Sequence, residues 1–146
     1  MQSGICTRFN FAFQSGALGH VVPVDVSQYT GVTFWAKLTS FDPQVPQIMR
    51  VQFPNADTDT EHQSTCISSK LPCDAFGLVL PGLGESWQKV SLTWDQLTQS
   101  ASEYGQLHPP SFNEDVYSVG FVALGAGPED RALPFEFCVS QIYFTQ

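Results

Sequence analysis

Apolar and polar residues alternate along this chain in short runs, and clusters of Gly and Pro break the runs apart. Val32, Phe34 and Ala36 fall on one face of an extended segment, Thr33, Trp35 and Lys37 on the other. Met49, Val51 and Phe53 likewise oppose Arg50 and Gln52, and Phe135, Phe137 and Val139 oppose Glu136, Cys138 and Ser140. Near the start, Ile5, Thr7, Phe9, Phe11 and Phe13 share a face and leave Cys6, Arg8, Asn10 and Ala12 opposite. This period of two predicts strands at about 6–14, 32–38, 48–53, 77–80, 88–91, 116–124 and 135–144. Gly16, Gly31, Pro43, Pro46, Pro54, Pro81-Gly82, Pro109-Pro110 and Gly127-Pro128 punctuate them. One helical turn is predicted near residues 93–99, where Thr93 can cap and Gln96 stands at the capping-box spacing. The pattern is all-β: a two-sheet antiparallel sandwich. No repeat or linker divides it, so residues 1–146 are read as a single domain.

Charge narrows the partners. With a net charge of −8 and only six Lys and Arg, the chain has no basic patch for phosphates, so nucleic acid is not an expected partner. No apolar run approaches the ~20 residues of a membrane span. Low charge with abundant Phe, Ser, Thr and Gln suits a secreted or cell-surface β domain, a monomer or a module of a larger protein. The opening Met-Gln-Ser-Gly has no basic segment followed by an apolar stretch, as expected if a signal peptide has been removed or the chain is an excised piece.

Four cysteines suit an oxidising compartment. Cys66 and Cys73 flank a short stretch that a disulfide would close into a small ring; a zinc site is the competing reading, but the Cys-x2-Cys spacing is absent. Cys6 and Cys138 both lie on the side of their strands away from the apolar face, and can bond across it if the terminal strands are neighbours.

Enzyme signatures are sparse. His20, His62 and His108 form no metal-binding spacing, and neither a nucleophile elbow nor a phosphate-binding glycine loop is present. Glu61, Glu85, Glu103, Glu114 and Glu136 could supply the carboxylate pair of a glycosidase, but most adjoin turn signals, where acids are ordinarily solvated. The segment Asn55-Ala-Asp57-Thr-Asp59-Thr-Glu61 is the densest oxygen cluster. Asp57 and Asp59 are weak candidates for calcium, and an Asx-rich turn is the plainer account.

Asp25-Val-Ser-Gln-Tyr-Thr-Gly-Val-Thr-Phe-Trp-Ala-Lys, Val51-Gln-Phe-Pro-Asn-Ala-Asp-Thr-Asp-Thr, Cys66, Cys73-Asp-Ala-Phe-Gly, Glu85-Ser-Trp-Gln-Lys-Val and the Phe-rich last run resemble jelly-roll carbohydrate-binding modules of the galactose-binding-like type. The resemblance spans about residues 24–144. It implies a jelly roll, a noncatalytic glycan-binding role and no cofactor beyond a structural calcium. Such modules often help to hold that ion with an acidic pair in the last strand, where this chain reads Ser140-Gln141.

The residues themselves place the candidate site on the outer face of the strands. Kept in register, that face gathers Arg8, Asn10, Trp35, Lys37, Arg50, Gln52 and Glu136, with Tyr104 from a long loop as a further contact. A pyranose stacks its C–H face on an indole, and its hydroxyls take hydrogen bonds from Arg, Asn, Gln and carboxylates. Trp35 has a second reading, as a core residue covered by a loop. Trp87 and Trp94 are read mainly as core. The expectation is a noncatalytic carbohydrate-binding module; the alternative is an adhesion or structural domain that binds protein, and an enzyme is third.

Overall fold

The computed structural model describes residues 5–7, 24–40, 48–55, 58, 74–80, 82–99, 116, 118–124 and 135–146. Seven strands are seen: β1 (Ile5–Thr7), β2 (Gly31–Ser40), β3 (Ile48–Phe53), β4 (Phe76–Leu80), β5 (Gln88–Thr93), β6 (Gly120–Leu124) and β7 (Phe135–Thr145). They form a four-stranded sheet in the order β1-β7-β2-β5 and a three-stranded sheet in the order β4-β3-β6, all pairs antiparallel. The chain changes sheet after β2, β4, β5 and β6. Val24 and Asn55 each bridge Val116, tying the approach to β6 to both earlier segments.

The predicted periods put the expected side chains between the sheets. Val32, Phe34, Ala36 and Leu38 from β2 meet Met49, Val51 and Phe53 from β3, all buried. Phe34 and Phe137 both contact Phe121 of β6, at centroid separations of 5.4 and 5.1 Å. At the other end Trp94 packs its ring against Phe53 and Phe144, while its indole N–H donates to the Tyr29 carbonyl at 2.7 Å. This Trp belongs to a single 3-10 turn, Trp94–Gln96, held by the Gln96 side chain accepting from the Thr93 amide. A turn before β2 is shaped by Asp25, whose carboxylate accepts from the Ser27 amide at 2.9 Å. Hydrogen bonds from the Ser27 side chain and backbone hold that carboxyl below its ordinary pKa.

Gly31 begins β2 where β5 presses closest. A Cβ there would lie inside contact distance of the Leu92 carbonyl oxygen, so only glycine fits. Among the described residues no helix is long and apolar enough to cross a membrane.

Candidate functional site

Pairing of β2 with β5 and β7 determines what the outer face of the four-stranded sheet displays. Trp35 lies opposite Lys89 on one side and Ser140 on the other. Thr33 lies opposite Ser91 and Tyr143, Lys37 opposite Cys138, and Thr39 opposite Glu136. Trp87, one residue before β5, comes beside Lys37, whose ammonium stands 5.6 Å from the ring centroid, within cation–π range. The face thus carries two half-buried indoles, two ammoniums, a row of hydroxyls and one carboxylate. The Thr33 and Ser91 hydroxyls hydrogen-bond each other at 3.0 Å, which fixes that row at its β5 side.

A bulge in β7 shapes the far end. Register shifts between Thr33 and Trp35, so one extra residue of β7 is accommodated there, and Gln141 takes a left-handed backbone with φ of 54°. Plain alternation from Ser140 would send Ile142 and Phe144 outward. Instead Phe144 pairs with Val32 and stacks on Tyr29 at 5.3 Å, and Tyr143 comes out to the exposed face.

Of the residues expected to form one groove, Trp35, Lys37 and Glu136 do share this face. Arg50 and Gln52 do not. They sit on β3, in the other sheet, and their side chains leave the opposite outside of the sandwich. Nor does Arg50 meet solvent: it is 3% exposed, donating to Asp74 Oδ1 at 2.7 Å, to the Ala75 carbonyl at 2.8 Å and to the Thr98 carbonyl at 3.1 Å. Its guanidinium lies over Gly77, where a Cβ would come within 3.0 Å of it. Arg50 is therefore a structural residue that pins the segments around Asp74 and Thr98 to the sheet.

Trp87 is the reverse case. The sequence reading puts it mainly in the core, yet Trp87, Lys89 and Ser91 share a period with one another and not with Val90 and Leu92, which is the signal that assigns it to the outer face. Lys89, Ser140 and Tyr143 join the face with it. Arg8, Asn10 and Tyr104 lie outside the described residues, as do Asp57, Asp59, Cys66 and Cys73.

A calcium site does not fit what is described. A hard cation wants several carboxylate and carbonyl oxygens, whereas Ser140 and Gln141 bring no carboxylate, and no group of three His, Cys, Asp or Glu gathers among the described residues. In the oxygen-rich segment, Asn55 and Thr58 make a closed turn. The Thr58 amide donates to Asn55 Oδ1 at 3.0 Å, and the Asn55 amide to the Thr58 hydroxyl at 3.1 Å. This is the Asx turn expected there.

Cys6 is directly opposite Cys138 in the β1–β7 register, and no cysteine among the described residues is free. Cys138 points away from the sandwich interior, as its period requires, but is wholly buried there at 0% exposure.

Comparison of the chain with protein-family models, with curated proteins and with solved structures returns no match.

Proposed function

We propose that this protein is a noncatalytic carbohydrate-binding module of a secreted or cell-surface protein, resembling the galactose-binding-like jelly-roll modules. The ligand would lie across the outer face of the four-stranded sheet. The observation that carries this reading is the placement of Trp35 and Trp87 on that face, each half-buried and each beside an ammonium and a hydroxyl-bearing strand. Trp35 is the stacking platform, because it stands on the central strand with polar neighbours on both sides. Lys37, Lys89, Ser140 and Glu136 are the polar partners. Glu136 is the only carboxylate carried by the strands of this sheet, so the paired acids of a glycosidase are not supplied by it.

Calorimetry against a panel of soluble oligosaccharides, with pull-down on insoluble polysaccharides, tests the reading. Trp35→Ala should weaken binding at least about tenfold, since an indole can bury up to ~250 Å². The same incubations should release no reducing ends. Unchanged affinity in a folded Trp35→Ala variant would move the site off this face.

One feature favours a protein partner instead: Ile142 and Tyr143 are exposed side by side at the bulge. That reading predicts that Tyr143→Ala abolishes capture of a protein partner while leaving every glycan test blank.

A further inference from the structure

Among the described residues, the cations that are not enclosed in an ion pair stand together on the tryptophan face. Six Lys and Arg stand against fourteen Asp and Glu, for a net charge of −8. Among the described residues the cations are Lys37, Arg50 and Lys89, and Arg50 is enclosed with Asp74 in a buried ion pair. Both of the others project from one face of one sheet, beside its indoles. Trp35 faces Lys89 across the strands, and the Lys37 ammonium sits over Trp87. Along β2, Trp35 and Lys37 are two residues apart, and so are Trp87 and Lys89 along the β5 segment. The four side chains make a two-by-two lattice, in which every indole has an ammonium across the strands and another along its own strand. Its spacings are about 5 Å across and about 6.7 Å along.

We infer that this lattice recognises an anionic glycan, one whose rings carry carboxylates; the inference rests on the glycan-binding reading above. A neutral sugar presents hydroxyls that need acceptors as well as donors, whereas an ammonium only donates. The lattice matches a uronate ring, which offers an apolar C–H face to an indole and an acceptor-only carboxylate to the neighbouring ammonium. Lysine is suited to this role because its compact charge can reach a carboxylate from several directions, where arginine's fork demands one. The negative charge of the whole chain does not prevent it. At physiological salt, charges more than about 8 Å away are largely screened, while partners in contact keep most of their attraction. Trp87 acts as a positioning residue, holding the Lys37 ammonium over its ring until a carboxylate takes it. Glu136, one row beyond Lys37 beside Thr39, repels the carboxylates at that end and gives the chain a preferred placement.

The test compares polymers that differ only in charge. Polygalacturonate, alginate and hyaluronate are each titrated against their methyl esters, with dextran sulfate against dextran as the arm for charge without a uronate ring. The expected result is that at least one acid form binds about tenfold or more tightly than its ester, and that in Lys37→Gln with Lys89→Gln the acid form binds no more tightly than the ester. Binding should weaken as salt is raised. Equal affinity for acid and ester, with the glycan bound, overturns the anionic inference and leaves the glycan reading standing. Binding of no polymer, charged or neutral, overturns both. Dextran sulfate bound as tightly as the uronates, and equally by Trp35→Ala, would reduce the face to an ion exchanger and also overturn the inference.

Discussion

Gln141 sits at the bulge that decides which side chains of the last strand turn outward beyond it. A left-handed backbone costs a non-glycine residue roughly 1–2 kcal/mol, and Gln141 adopts it with φ of 54°. The cost is offset by what the bulge permits, which is Phe144 in the core against Tyr29 and Trp94 with Tyr143 outside. Gln141→Gly should therefore raise stability slightly, by about 0.5 kcal/mol, because glycine relieves the strain but has more freedom to lose on folding. Gln141→Val should cost more than about 1 kcal/mol, since a β-branched residue tolerates that conformation worst. Urea denaturation of the two variants checks the pair; a stabilising valine would contradict the strain.

At the scale of elements, β3 is the strand whose outward side chains are committed to holding structure. Arg50 joins β3 to the segment before β4 through Asp74 and Ala75, and to the Thr98 segment that bridges Gly77. Both partners are buried, so removing either leaves a charge without its counterpart, at a cost of about 3–5 kcal/mol. Arg50→Ala and Asp74→Ala should each lower the unfolding midpoint sharply in denaturant. A joint replacement by apolar residues of similar volume, Arg50→Met with Asp74→Leu, should recover much of the loss. If Arg50→Ala proved as stable as the parent, the pair would be incidental. Glycan affinity of any folded Arg50 variant should be unchanged, because the tryptophan face is on the other side of the sandwich.

For the whole molecule, the decisive connection is between its two ends. β1 pairs with β7 and with no other strand among those described, and Cys6 stands opposite Cys138 in that pairing. We propose a Cys6–Cys138 disulfide, together with Cys66–Cys73. The first would close almost the entire chain, for which loop entropy sets an upper scale of about 5 kcal/mol. Reduction should then lower the melting temperature markedly, and peptide mapping under non-reducing conditions should recover residues 6 and 138 in one linked pair. Four alkylatable thiols in the native protein would refute it.

Alternation alone identified β2, β3 and the first half of β7 with their buried faces, whereas the strand expected at 116–124 begins at Gly120 and of the one expected at 6–14 only residues 6 and 7 are among those described. Side chains in an extended chain must point to opposite sides, so Phe34, Val51 and Phe137 had only one place to go. The 3-10 turn after Thr93 and the Asx turn at Asn55 were legible for the same kind of reason, since their hydrogen bonds span three residues or fewer. The candidate site was legible only in part. Trp35, Lys37 and Glu136 stand on one face of one sheet, but period does not say which sheet a strand joins or what lies over it. β2 and β3 follow one another and yet belong to different sheets, which sends Arg50 to the far side and under the Asp74 segment. Trp87 went the other way, onto the outer face, because the pairing of Trp35 with Lys89 carries Trp87 out beside Lys37. The bulge at Gln141 reversed the phase of the last strand for a reason no local pattern contains, the need to seat Phe144 against Tyr29 and Trp94. Facing direction is a property of one strand, whereas pairing, covering and phase shifts are set by contacts between residues far apart in the chain, and those are settled only when the sheets pack.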